Sequence, residues 1–260
     1  MKDLGRHVLG IAAIAFGAIG LTWHDFNDWQ QLHRLWDTPG GALLVYAAAV
    51  AQIGGGAAIQ WRRTARAGAV ALGVVYLFYA LRWIPGIVHE PVVFDRWGNF
   101  FEQFSLVCGA AIVYASAARG APAAAKAART AVMLFGVCVI SFTLGQLVYL
   151  KAVADFTPQW LPPGPRFWAI ATTIALALAA LAILSGRKAL LATQLLTVMF
   201  AIFGLLVWLP RVIADPHLHM NWGGNAQNWA ITAAAWIVAD YLRRCEVPDE
   251  AAAPLQAARG

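Results

Sequence analysis

Long apolar runs alternate with short polar segments eight times along the chain, near 7–23, 41–60, 66–84, 99–117, 129–150, 166–185, 189–209 and 225–243. Each run approaches the roughly 20 residues a helix needs to cross hydrocarbon. In lipid the backbone polar groups of such a run must be satisfied within the segment, which a helix does. The pattern therefore predicts an all-α polytopic membrane protein with eight transmembrane helices. The first run follows Lys2 and Arg6, as the apolar core of a signal peptide would. It has no convincing cleavage site behind it and is read as the first retained helix.

A second regularity lies on top of the first. Residues 83–97 read Trp-Ile-Pro-Gly-Ile-Val-His-Glu-Pro-Val-Val-Phe-Asp-Arg-Trp, and residues 208–222 read Trp-Leu-Pro-Arg-Val-Ile-Ala-Asp-Pro-His-Leu-His-Met-Asn-Trp. An offset of 125 residues holds without a gap through Trp83/Trp208, Pro85/Pro210, Glu90/Asp215, Pro91/Pro216, Trp97/Trp222 and Gly98/Gly223. Arg62-Arg63 aligns with Arg187-Lys188, and Ile112-Val113 with Ile237-Val238, at the same offset. Four helices per copy is an even number, so both copies would point the same way, as a parallel repeat. The expected organisation is one four-helix unit over 1–117, a cytoplasmic linker over 118–128, a second four-helix unit over 129–244 and a disordered cytoplasmic tail over 245–260. Small residues at close-packing spacing, Gly10 with Gly17 and Gly54-Gly55-Gly56, suit tight helix crossings in lipid.

Composition narrows the class. With 60% apolar and 12% charged residues the chain falls outside the soluble globular range. The net charge of +6 is spread in short runs between apolar stretches rather than gathered on one face, which argues for a membrane and against nucleic acid. Thirteen of the 19 Lys and Arg residues fall on the N-terminus, the loops near 61–65, 118–128 and 185–188, and the tail. Only Arg34, Arg82, Arg96, Lys151, Arg166 and Arg211 fall on the other side. By the positive-inside rule both termini are cytoplasmic. The outer side holds most of the tryptophans, five of the six histidines, and Asp25, Asp28, Asp37, Glu90, Asp95, Asp155 and Asp215. Cys108, Cys138 and Cys245 form no CxxC pair, so neither a disulfide framework nor a thiol redox centre is expected.

The second half carries a family resemblance. Phe156-Thr157-Pro158-Gln159-Trp160-Leu161-Pro162-Pro163 leads to Phe167-Trp168, then to Gly186-Arg187-Lys188, then to a helix ending in Leu209-Pro210-Arg211-Val212-Ile213-Ala214-Asp215-Pro216. This order resembles the DoxX-like family of small four-helix membrane proteins over about 130–243, and the first half resembles it through the repeat. Such proteins are typically a single four-helix unit, whereas this chain would be two. The resemblance implies a four-helix bundle per half and a bacterial inner-membrane location. It also implies an association with a membrane redox partner protein, with a quinone as the cofactor it would bring. The resulting expectation is an accessory or scaffold subunit of a redox or stress-related membrane system. The alternative is a transporter or lipid-pathway protein with a site between the repeats.

The chemistry-bearing residues cluster on the outer side. Pro85 and Pro210 lack a donor and clash with the preceding turn, so they end or kink the third helix of each half. Pro91 and Pro216 push Glu90 and Asp215 to extended backbone. Read structurally, the stretch is a cap and anchor, with Trp97 and Trp222 at headgroup depth. Read chemically, Glu90 and Asp215 line one shared cavity and take a proton from a quinol or bind a cation. Trp83, Trp97, Trp208, Trp222 and Arg211 are then the candidate ligand residues. Glu102, Gln103, Gln227 and Asn228, with Asn99 and Asn225, predict a polar layer beneath that motif, because polar groups in a span turn inward. Within it a desolvated Glu102 could relay protons. Gln227 and Asn228 join the candidate ligand residues. His24, His33, His89, His217 and His219 are also on the outer side, but none lies well inside a helix, so no metal or haem site is expected. The outer loop 23–38 has apolar residues at 26, 29, 32 and 36, which predicts a short amphipathic helix on the membrane surface.

Overall fold

The computed structural model describes residues 3–27, 30–118 and 122–246, with only the backbone of His33. Lys2, Asp28, Trp29, Arg119, Arg259, the middle of the expected linker at 119–121 and the expected tail from 247 onward lie outside the described residues. Eleven α-helices follow one another among the described residues. They are α1 (Leu4–Trp23), α2 (Gly41–Ala58), α3 (Ala65–Leu81), α4 (Ile84–His89), α5 (Phe94–Ala117), α6 (Pro122–Val148), α7 (Leu150–Phe156), α8 (Pro165–Ser185), α9 (Ala189–Phe203), α10 (Leu209–Ala214) and α11 (His219–Glu246). A 3-10 turn covers Leu32–Leu35, and a π-helical turn, Gly204–Trp208, joins α9 to α10. No strand occurs among the described residues.

Seven helical segments are long and apolar enough to cross a membrane: α1, α2, α3 with α4, α5, α6, α8, and α9 with α10. The chain is a membrane-embedded, multi-pass protein. The eighth long helix, α11, spans 28 residues but stands apart in composition, with His219, Asn221, Asn225, Gln227 and Asn228 in its outer turns. More than half of its 28 residues are buried. A helix enclosed by other helices meets little lipid, so it can be less apolar than its neighbours.

The long helices form a closed ring. α1 packs on α2, α2 on α3, α3 on α5, α5 on α6, α6 on α8, α8 on α9, α9 on α11, and α11 returns to α1. α5 and α11 also meet each other across the middle. Leu43, Val74, Leu178 and Leu195 are exposed on the outside of the ring, where lipid would cover them. Small residues set the closest crossings. A Cβ on Gly56 would lie 2.5 Å from the carbonyl oxygen of Gly10, and one on Gly17 would lie 2.5 Å from that of Ala49. At the α5–α11 crossing a Cβ on Gly109 would be 3.3 Å from that of Ala234.

Three expectations are corrected here. The helix expected from 99 begins at Phe94, and that expected from 225 begins at His219, so Trp97 and Trp222 stand on helical first turns rather than in loops. The linker expected over 118–128 is shorter, because α6 already begins at Pro122, a proline at the end of a helix where it loses no bond. The loop 23–38 does not lie on the surface as a helix. Asp25, Phe26, Asn27, Gln30 and Leu32 are all buried. The Asp25 carboxylate accepts the N–H of Leu32 at 2.6 Å and that of Asn27 at 3.4 Å, folding the chain back on itself. An aspartate bonding nearby backbone in this way competes with helix formation. Phe26 then sits between Phe16 and Tyr79, with ring centroids 4.9 and 4.5 Å away, and plugs the end of the bundle where α1 and α3 finish.

Candidate functional site

The two proline-bracketed stretches fold into matching lids. Pro85 and Pro210 each occupy the start of a short helix, α4 and α10, where a missing N–H costs nothing. Glu90 ends α4 at φ −134° and ψ 72°, and Asp215 ends α10 at φ −139° and ψ 85°. Their backbone N–H groups donate to the carbonyls of Gly86 and Arg211, each at 2.9 Å. The indole N–H of Trp97 donates to the Pro91 carbonyl at 3.0 Å, and that of Trp222 to the Pro216 carbonyl at 2.8 Å. A proline carbonyl at a chain bend has no ladder partner, and the indole one helical turn on supplies a donor.

The carboxylates are engaged differently. Glu90 is ion-paired to Arg96 within its own lid. The Oδ1 of Asp215 accepts the His217 backbone N–H at 3.2 Å, an Asx turn. Asn221 occupies the place of Arg96, and its Nδ2 donates to the carbonyls of Arg211 and Asp215, both at 3.0 Å. Arg211 occupies the place of Gly86, and its guanidinium lies 4.1 Å above the Phe156 ring. Trp208 packs against Gly224 and lies 5.8 Å from Phe156. Trp83 donates its indole N–H to the Gln30 side chain at 2.7 Å.

Beneath the lids lies the polar layer. Asn99, Gln103, Gln227 and Asn228 are buried, and one oxygen of Glu102 is turned away from solvent without a partner. Gln103 Nε2 donates to Gln227 Oε1 at 2.9 Å, tying α5 to α11. Asn228 Nδ2 donates to the Phe200 carbonyl at 2.9 Å, just before the π-helical turn. On the α3 side the layer continues through the folded-in loop. Gln30 Nε2 donates to Asn99 Oδ1 at 3.2 Å, and Arg82 donates to the Gln30 carbonyl at 3.0 Å. Asn225 Oδ1, Gln103 Oε1 and Gln227 Nε2 have no hydrogen-bond partner. The structure thus brings Glu102, Gln103, Gln227 and Asn228 into one inward-facing band and keeps Glu90 and Asp215 in the lids above it.

Three cavities open along the molecule, and neither Glu90 nor Asp215 is on the walls of these three. An apolar cavity of about 260 Å³ lies between the first lid and α6, walled by Phe94, Trp97, Phe101, Ile140 and Leu144. Its polar feature is Ser141, buried and with its hydroxyl unpartnered. A second apolar cavity of about 410 Å³ lies between α5 and α6 around Phe104, Cys108 and Lys126. The third, of about 200 Å³, lies at the other end of the molecule between α1, α3, α5 and α11, with Asp3, Arg6, Arg62, Asp240 and Arg244 on its walls.

Among the described residues no group of three or more His, Cys, Asp or Glu is placed to hold a metal ion. His24 stacks on Trp36 at 4.0 Å and His219 on Trp23 at 5.1 Å. Cys108 and Cys138 are buried free thiols and Cys245 is exposed. The sequence places Asp25 on the outer side without giving it a role, and does not single out Gln30, Ser141 and Asp240. Of these, Asp240 carried a signal, a carboxylate inside an apolar run; the others are short polar residues that only the packing singles out. Comparison with known protein families, with curated proteins and with solved structures finds no match to this chain.

Proposed function

We propose that this chain is a DoxX-like integral membrane protein built of eight transmembrane helices in two tandem parallel four-helix units. It acts as an accessory or scaffold subunit of a membrane redox or stress-related system, in a bacterial inner membrane with both termini cytoplasmic. The observation that carries this reading is the pair of indole-to-proline bonds, Trp97 to Pro91 and Trp222 to Pro216, made at equivalent places in both halves. A feature built twice, with its indoles and its carboxylates already engaged inside each lid, favours a structural task over a catalytic one. The ring in which α5 meets α6 as α11 meets α1 supports the two-unit organisation.

The cavity under the first lid tests the quinone that the resemblance brings. Its aromatic and aliphatic walls suit a quinone ring, and Ser141 is the polar residue among them. The carboxylate beside Pro91, Glu90, is held by Arg96, so the cavity supports binding and offers no evident base for quinol oxidation. Purification from native membranes decides the matter. A redox protein that co-purifies in fixed ratio is the expected result. A chain that purifies alone and moves a solute across vesicles would favour the transporter or lipid-pathway alternative, for which the third cavity, between helices of both units, is the supporting observation.

A further inference from the structure

The third cavity sits where α1 and α3 begin and α5 and α11 end, the side on which the basic residues of the sequence are concentrated. Arg6, Arg62 and Arg244 set three guanidiniums on its walls against two carboxylates, Asp3 and Asp240. Part of this charge is settled internally. Arg244 donates to Asp3 at 2.7 Å and to the Ser116 hydroxyl at 3.2 Å. One oxygen of Asp240 lies 3.9 Å from Arg243.

The rest is left over. Arg62 is exposed, with no ion-pair or hydrogen-bond partner among the described residues, and Arg6, whose Nη2 lies 3.3 Å from the His7 ring Nε2, has its Nε buried without an acceptor. Asp240 is only 6% exposed, yet its Oδ2 has no donor. A buried charged oxygen without a partner is costly, and a ligand that supplies the missing donor removes that cost. What fits must therefore bring an anion for two guanidiniums and, next to it, a cationic donor for one carboxylate. Guanidiniums recognise phosphate through paired N–H groups. Basic pockets between transmembrane helices on the cytoplasmic side bind phosphate-bearing lipid headgroups. The volume, about 200 Å³, is several times the 30 Å³ or so that one water occupies.

We propose that this cavity binds the phosphoethanolamine headgroup of a cytoplasmic-leaflet phospholipid. The phosphate lies against Arg6 and Arg62, and the ammonium lies against Asp240. The juxtaposition of the unpaired Arg6 Nε and the exposed Arg62 guanidinium with the unpartnered Asp240 oxygen favours a zwitterion over a bare anion.

The test uses the delipidated full chain in detergent, with binding read by native mass spectrometry. The ligands are phosphatidylethanolamine, phosphatidylcholine and phosphatidylglycerol of equal acyl chains, with inorganic phosphate as competitor. Phosphatidylethanolamine should be retained several-fold better than phosphatidylcholine, whose methylated ammonium cannot donate to Asp240. Arg62→Gln, at an exposed position whose side chain supports nothing else, should weaken retention of both about fivefold. Asp240→Asn should erase the preference between the two lipids and leave phosphatidylcholine binding in place. Equal retention of the two lipids by the unaltered chain overturns the proposal, and needs no variant to fold. Stronger retention of phosphatidylglycerol, or displacement of lipid by inorganic phosphate at matched concentration, overturns it equally, since the first points to an anionic headgroup and the second to a free-anion site.

Discussion

Gln103 on α5 donates its amide N–H to the side-chain oxygen of Gln227 on α11 at 2.9 Å, joining segments 124 residues apart at the centre of the ring. Each amide keeps one polar atom unpaired, Oε1 of Gln103 and Nε2 of Gln227. Replacing either glutamine by leucine strands the other in an apolar surrounding, at a cost of about 1–3 kcal/mol. Replacing both removes the stranded group together with the bond. The double variant should therefore lose less stability than the two single variants added together, with a coupling of about 0.6–1.7 kcal/mol, the range for hydrogen bonds between helices in membranes. Unfolding of the four proteins in detergent measures it; strict additivity would show that the pair is not an energetic unit.

The α1–α2 crossing makes a sharper case. Gly56 faces the carbonyl of Gly10, with 2.5 Å for any added Cβ, whereas Gly54, two residues earlier on the same helix, faces nothing within 4 Å. Gly56→Ala must push the two backbones apart and should cost about 1–3 kcal/mol. Gly54→Ala meets no atom and removes a poor helix former, which should stabilise by up to about 1 kcal/mol. The two substitutions are chemically identical and should differ in sign when melting temperatures are compared. Equal effects would mean that helix propensity, not contact, governs this face.

Much of this architecture is legible in the residues alone, because apolar runs of membrane length have one stable conformation in lipid. The polar layer was also legible, since Gln103 and Gln227 have nowhere to go in a span but inward. What escaped depends on competition between local and distant partners. The spacing of residues 26, 29, 32 and 36 fits a surface helix, but Asp25 has two backbone N–H groups to accept and Phe26 has an aromatic socket waiting. Neither is visible without the ends of α1 and α3. The lids show the same limit. Tryptophan at the end of the motif suggests an interfacial anchor, but that its N–H closes onto a proline carbonyl is a matter of helix start, and both helices begin earlier than their apolar runs. The inner cluster around Asp240 escapes for a simpler reason: its charged members come from α1 and the residue before it, the loop before α3, and α11, far apart in the sequence.

The inward fold of the first outer loop gives a direct prediction. Phe26 is 1% exposed, edge-on to Phe16 and stacked on Tyr79. Phe26→Ala should therefore cost about 3–5 kcal/mol, as for other fully buried aromatics, and should open the loop around it to added protease. A loop lying on the membrane surface would instead lose membrane contact with little change in unfolding. A Phe26→Ala protein that melts as the parent does, with the loop still protected, would rule the socket out.

The two lids solve one packing problem in two ways, and the solutions should be exchangeable. In the first lid a glycine at 86 leaves room for Arg96, whose guanidinium pairs with Glu90; a Cβ on Gly86 would come within 2.6 Å of that guanidinium. In the second lid the arginine stands at 211, the place of Gly86, and the shorter Asn221 stands at the place of Arg96 and bonds two lid carbonyls. Each lid has space for one guanidinium. Gly86→Arg alone crowds two like charges and should cost about 1–3 kcal/mol. Arg96→Asn alone breaks a half-exposed ion pair and should cost no more than about 1 kcal/mol. Combined, they rebuild the second lid's arrangement, in which the introduced asparagine can donate to the carbonyls of Gly86's replacement and of Glu90. The double variant should thus be more stable than Gly86→Arg by itself. Melting temperatures of the three proteins against the parent decide it, and a double variant no better than the sum of its parts would mean that each lid is shaped by its own surroundings and not by this pair.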